Sequence, residues 1–202
     1  MKPVRLAILG LGTVGGGALK LLQENAAEIK RRTGREIQIT HVGTRRPRPD
    51  LNLEGIQQND DLMHIVRQPD VDVVVEVMGG IHPAYEVIME AIKHGKQVVT
   101  ANKALLAEHG NELFKAAEDN AVQIAYEAAV AGGIPIIKVI REGLAANHIQ
   151  WLAGIINGTG NFILTEMREK GRAFEDVLKE AQELGYAEAD PTFDVEGIDA
   201  AH

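Results

Sequence analysis

Near its start the chain reads AILGLGTVGGG, which sets Gly10, Gly12 and Gly15 in the spacing Gly-x-Gly-x-x-Gly directly after an apolar run. That spacing suits an anion brought against the backbone. The first glycine makes a tight turn, the second lets the main chain approach a pyrophosphate, and the third allows a helix to pack closely on its strand. The helix that follows presents free N–H groups and a partial positive charge to the same point. A dinucleotide site is the chemical reading, with a merely structural glycine turn as the alternative. Further on, where an acidic residue would hold a ribose 2′-hydroxyl, HVGTRRPRPD offers Arg45, Arg46 and Arg48 instead. Arginines there suit a 2′-phosphate. NADP(H) is therefore the favoured cofactor, with NAD(H) second and Arg45 as the selected contact; a solvated basic loop is the competing reading.

Three further stretches belong at the ends of strands. EVMGG (76–80) carries Gly79 and Gly80, which let the backbone pass near a nicotinamide ribose; TANKALLA (100–107) carries Lys103; YEAAVAGGIP (126–135) closes the series. A lysine ammonium can deliver a proton to an oxygen when burial or a nearby positive charge lowers its pKa. Position alone also allows Lys103 to be an ordinary solvated lysine. At the other end, LGYAEADPTFDVEGIDAAH (184–202) holds Glu188, Asp190, Asp194, Glu196 and Asp199 with no lysine or arginine. Such a segment either receives a cation or is a solvated acidic loop.

The elements that must position these residues follow from periodicity. Apolar runs at 4–9, 37–42, 71–77, 97–101 and 122–128 have strand length, and segments of helical period separate them. This βαβα alternation predicts an α/β fold, a Rossmann-type doubly wound parallel sheet, over residues 1–135. Ligands then bind beyond the carboxyl ends of the strands, where the stretches above fall. From 136 to 202 the pattern changes to a strand over 148–156 and helices over 159–171 and about 174–184, the opening of an α+β second domain.

The bulk properties narrow the function. The 202 residues are 45% hydrophobic and 25% charged, in the ordinary range for a globular chain, with no apolar stretch of membrane-spanning length. No export signal is read, and a cytoplasmic location is expected. The absence of cysteine excludes disulfides, thiolate metal sites and cysteine nucleophiles. A net charge of −8 argues against nucleic acid as partner.

Taken together, GLGTVGGG, VVTANKALLA, YEAAVAGGIPII, INGTGNFIL and LGYAEADPTFDVEGIDAAH resemble, in order and spacing, the homoserine dehydrogenases. The resemblance runs the length of the chain. It implies NAD(P)H-dependent reduction of L-aspartate 4-semialdehyde to L-homoserine, on the route to threonine, methionine and isoleucine. By the same resemblance Gly10, Gly12, Thr13, Val14, Gly15, Gly79 and Gly185 line the cofactor, Arg45 meets its 2′-phosphate, and Lys103 is the active-site lysine. Glu188 and Asp194 hold the substrate, and Asp199 joins Lys103 in catalysis. Glu127 with the backbone of Val130, Gly132 and Ile134 matches a monovalent cation site, usually sodium. The family continues with a further lysine just past the position of His202 and assembles as homodimers or larger homo-oligomers. The expectation is thus a truncated chain: a cofactor-binding domain and the start of a substrate domain, with an NADP(H)-binding module lacking turnover as the alternative.

Overall fold

The first apolar run forms β1 (Val4–Leu9), in which Ala7, Ile8 and Leu9 are fully buried. In the computed structural model, which describes residues 2–187 and 190–202, this strand lies inside a six-stranded sheet. The others are β2 (Ile37–Gly43), β3 (Gln57–Asn59), β4 (Val73–Glu76), β5 (Gln97–Thr100) and β6 (Ile124–Ala125). Their order is β3-β2-β1-β4-β5-β6 and every pairing is parallel. The order reverses direction between β1 and β4, where a doubly wound sheet opens its ligand crevice.

Parallel neighbours require crossover connections, supplied here mostly by helices: α1 (Thr13–Glu24), α2 (Ala26–Thr33), α3 (Leu62–Val66), α4 (Ala84–Lys93) and α5 (Lys103–Asp119). Alternation along β1 assigns its side chains to two cores. Leu6 and Ile8 pack with Leu19 of α1 and Val42, whereas Ala7 and Leu9 pack with Ile88 of α4, Leu113 of α5 and Val98. Burial on both faces explains why these strands read as continuous apolar runs. At the amino end of the sheet Arg5 ties β1 to the start of β4, its Nη2 2.7 Å from Asp72 Oδ1 and its N–H donating to Oδ2. That guanidinium holds the Asp72 carboxyl down at about 2.

Beyond β5 the chain departs from the periodicity reading. The sixth strand, expected over 122–128, keeps only Ile124 and Ala125, and the chain then turns through a 3₁₀ segment, Glu127–Ala129. A short helix α6 (Ile136–Lys138) follows and runs into a π-helical turn, Val139–Gly143.

The chain divides into two compact units, Met1–Gly143 and Leu144–His202. The second contains α7 (Gly158–Lys170), α8 (Phe174–Glu183), α9 (Thr192–Val195) and α10 (Ile198–Ala201), with Ile163, Val177, Ala181 and Ala187 as its core. No strand occurs among its described residues, so the expected strand over 148–156 is absent. Trp151, Leu152, Ile155 and Ile156 are exposed instead. A strand needs a neighbour for its backbone N–H and C=O groups, and the described residues of this unit offer none.

Candidate functional site

The glycine spacing becomes a turn with one open face. Gly10 has φ +97° and its N–H donates to Gly43 O over 2.9 Å. A Cβ at Gly10 would stand 2.8 Å from Val77 O, and one at Gly15 would stand 1.8 Å from Gly10 O. Both positions are closed to any side chain. Gly12, by contrast, has nothing within 4 Å of where its Cβ would be. It caps α1 without a side-chain acceptor, the first turn carries no acidic residue, and Gly12, Thr13 and Val14 are exposed. The N–H groups at the start of α1 therefore face open space, as an anion site requires.

The arginines after β2 divide in two. Arg45 is exposed on a turn stitched by Thr44, whose Oγ1 donates to Arg46 O and accepts from Arg46 N–H. Arg48 folds back toward the glycine turn. Its Nε and Nη2 donate to Asp50 at 2.9 and 2.7 Å, its Nη1 reaches Gly12 O at 3.4 Å, and Nη2 lies 3.3 Å from the Cβ position of Gly16. The fork holds the Asp50 carboxyl at about 2. The sequence reading selected Arg45; Arg48 is the arginine that the fold lays beside the glycine turn.

At the ends of β4 and β5 the backbone is tied by polar side chains. Glu76 is fully buried; its Oε1 accepts from Met78 N–H at 2.9 Å and its Oε2 accepts from Thr100 Oγ1 at 2.7 Å. Thr100 Oγ1 accepts in turn from Asn102 N–H. Asn102 caps α5 by accepting from Leu105 N–H, while its Nδ2 donates to Gly80 O at 2.6 Å. Gly79 and Gly80 both have φ +75°, so the turn between Met78 and Ile81 depends on glycine. Lys103, the first residue of α5, stands directly after this cap. Sequence reasoning missed Glu76, Thr100 and Asn102 as a group. The available signal was an acidic residue inside an otherwise apolar strand.

Beyond β6, Glu127 accepts from Ile137 N–H at 2.9 Å and from Lys138 N–H at 2.8 Å, which caps α6. Val130, Gly132 and Ile134 lie on the intervening loop, which turns at Ala131 (φ +46°) and Gly133 (φ +84°). A carboxylate and backbone carbonyls are the oxygen donor types that a hard cation takes, and each Glu127 carboxylate oxygen retains acceptor capacity beside its N–H bond. Among the described residues no group of three or more His, Cys, Asp or Glu could hold a metal ion.

In the second unit Asn157 gathers the acidic residues. It caps α7 by accepting from Gly160 N–H, and its Nδ2 lies 2.9 Å from both Asp194 Oδ1 and Asp199 Oδ2. Together with Thr159, Tyr186 and Asp190 these residues line a cavity of about 500 Å³. Gly185, φ +75°, ends the turn after α8. Glu188 lies outside the described residues. The sequence reading overlooked Asn157, although an asparagine just ahead of a helix is a capping signal.

A parallel sheet in the order 3-2-1-4-5-6 with an open, uncapped glycine turn after its first strand defines a Rossmann-class dinucleotide-binding protein. Comparison with known proteins gives the family. The model of the homoserine dehydrogenase NAD-binding domain matches residues 10–127, and that of homoserine dehydrogenase itself matches residues 135–202. The chain belongs to the homoserine dehydrogenase family. It is 62% identical over 202 residues to a homoserine dehydrogenase of Pseudomonas aeruginosa, covering 100% of this chain and 46% of that protein. The crystal structure of a homoserine dehydrogenase from Thiobacillus denitrificans superposes with a TM-score of 0.91 at 59% identity, covering 99% of this chain and 47% of that one. A hyperthermophilic archaeal homoserine dehydrogenase in complex with NADPH gives 0.83 at 30% identity, covering 99% and 66%. The chain spans about half the length of the curated relatives it matches.

Proposed function

We propose that this chain supplies the cofactor-binding part, and the opening of the substrate-binding part, of an NADP(H)-dependent oxidoreductase that interconverts L-homoserine and L-aspartate 4-semialdehyde. The observation that carries this reading is the exposed start of α1 behind Gly10, Gly12 and Gly15 in a chain of this family. The nicotinamide supplies hydride chemistry at the aldehyde carbon. Gly12, Thr13 and Val14 receive the pyrophosphate on backbone N–H groups. Arg45 meets the 2′-phosphate, and Gly79 allows close backbone approach. Lys103 orients the aldehyde and stabilises the alkoxide formed on reduction, sharing proton delivery with the lysine that the family carries just past the position of His202. Glu188 and Asp194 hold the substrate, and the carboxylates of Glu188 and Asp199 are the charge-assisted acceptors of its ammonium group. Glu127 and the carbonyls of Val130, Gly132 and Ile134 take a sodium ion. The protein is cytoplasmic and homo-oligomeric; no helix among the described residues is long and apolar enough to cross a membrane.

The test is to incubate the 202-residue chain with NADPH and aspartate semialdehyde, following absorbance loss and cofactor binding on one sample. Turnover supports the full reading. Binding without turnover reduces the chain to an NADP(H)-binding module, and absence of binding overturns the proposal. Arg45→Ala is expected to weaken NADPH much more than NADH; equal loss removes Arg45 from the 2′-phosphate.

A further inference from the structure

We propose that Glu76 is a positioning residue that holds the nicotinamide end of the cofactor site in shape, an inference that rests on the functional reading above. A fully buried glutamate is rare, because desolvating a carboxylate is costly unless it is well bonded. The preceding residues of β4 are Val73, Val74 and Val75, so a fourth valine would satisfy the sheet. What Glu76 provides is a closed circuit of hydrogen bonds. Its Oε1 holds Met78 N–H at the entry to the double-glycine turn. Its Oε2 holds the hydroxyl of Thr100, its register partner on β5. Thr100 accepts from Asn102 N–H, and Asn102 Nδ2 returns to Gly80 O at the exit of the same turn.

The position of the circuit supplies its purpose. A Cβ on Gly10 would stand 2.8 Å from Val77 O and 2.9 Å from Met78 Cα, so the turn that Glu76 holds begins against the first glycine of the dinucleotide motif. This is the point between β1 and β4 where the strand order reverses. Two glycines in the left-handed region have wide freedom when untied. Fixing them before the ligand arrives removes an ordering cost from binding. The same circuit sets the cap of α5 and hence the residue after it, Lys103. Glu76, being fully buried, does this without touching cofactor or substrate.

The experiment compares two ligands on the 202-residue chain and on two near-isosteric variants. Glu76→Gln removes the charge and one acceptor. Asn102→Asp keeps the oxygen that caps α5 but loses the donor to Gly80 O. NADPH reports on the whole site through nicotinamide fluorescence, and 2′,5′-ADP reports on the adenosine half alone. Both variants are expected to bind 2′,5′-ADP within twofold of the unaltered chain. NADPH affinity is expected to fall about five- to tenfold, the size of one lost hydrogen bond, with reduced fluorescence of the bound nicotinamide. Unchanged NADPH affinity and fluorescence in either folded variant overturns the assignment, as does equal loss of both ligands, which marks a general structural role. If the unaltered chain binds neither ligand, the functional reading fails and this assignment fails with it.

Discussion

Gly12 and Gly15 share one motif and answer different demands. At Gly15 a methyl group would stand 1.8 Å from Gly10 O, inside any possible contact. Gly15→Ala is therefore expected to cost about 3 kcal/mol of stability, at the upper end of overpacking effects, seen as a lower urea midpoint with unchanged slope. At Gly12 the space is open and φ is −69°, which any residue adopts. Gly12→Ala should unfold within about 0.5 kcal/mol of the unaltered chain yet lose most NADPH affinity, because the added methyl occupies the face a pyrophosphate needs. A chain in which Gly12→Ala binds NADPH normally has its cofactor elsewhere. The spacing of these glycines was legible because backbone geometry alone demands it. The division between Arg45 and Arg48 was not, since it depends on Asp50 folding one guanidinium back toward Gly12. Glu76 was visible as an acidic letter among valines, but its partners Thr100 and Asn102 lie on a different strand end and come together only through sheet register.

Among the elements, β1, α1, β2, α4 and α5 were legible because each is long enough for its period to show, and the four-residue β4 and β5 because their valines form apolar runs bounded by turn residues. The short pieces β3, α3 and α6 were not, because three to five residues carry no period. The failure over 148–156 has a different cause. Its apolar and β-branched letters describe a residue that would fit a sheet, and a sheet is a property of the neighbour as much as of the strand. The acidic segment was legible as composition only. Its order comes from Asn157, which caps α7 and shares one amide between Asp194 and Asp199. Asn157→Ala should cost about 1 kcal/mol through the lost cap and leave two carboxylates without their common donor. Native-state hydrogen exchange checks this: amides of the first turn of α7 should exchange faster in the variant, with those of β1 unchanged.

For the molecule as a whole, the charge pairs at the amino end of the sheet set part of the acid response. Asp72 titrates at about 2 in the folded chain against an ordinary value of 3.8, held down by the Arg5 guanidinium. The unfolded chain thus takes up this proton at higher pH. The associated stability is present in full above about pH 4 and disappears as pH falls through about 2. Since both partners are more than a third exposed, solvent screens the pair and its share is modest. Asp72→Asn should lower Tm by a few degrees at pH 7, with the gap closing by pH 2. A gap that persists at pH 2 would assign the loss to the backbone bond from Arg5 N–H rather than to the charge.

The exposed run around Trp151 makes a second demand on the molecule. Trp151 is 80% exposed, Ile155 77% and Ile156 72%, and apolar patches of this kind drive association in aqueous solution. Opposing it is a net charge of −8, which keeps copies apart at neutral pH and low salt. Two consequences follow from that balance. Added salt shortens the range of the repulsion, and lowering the pH toward the isoelectric point near 5.4 removes its source, so either change should promote self-association. The chain has a single tryptophan, so its fluorescence reports on this run alone. In dilute low-salt solution the emission should be that of a solvated indole and open to iodide quenching. With rising concentration or salt it should shift to shorter wavelength as sedimentation shows larger species. Ile155→Asp should suppress both changes while leaving the urea midpoint of the sheet unit in place, because Ile155 belongs to none of the buried cores. Association that proceeds undiminished in Ile155→Asp would place the contact on another surface.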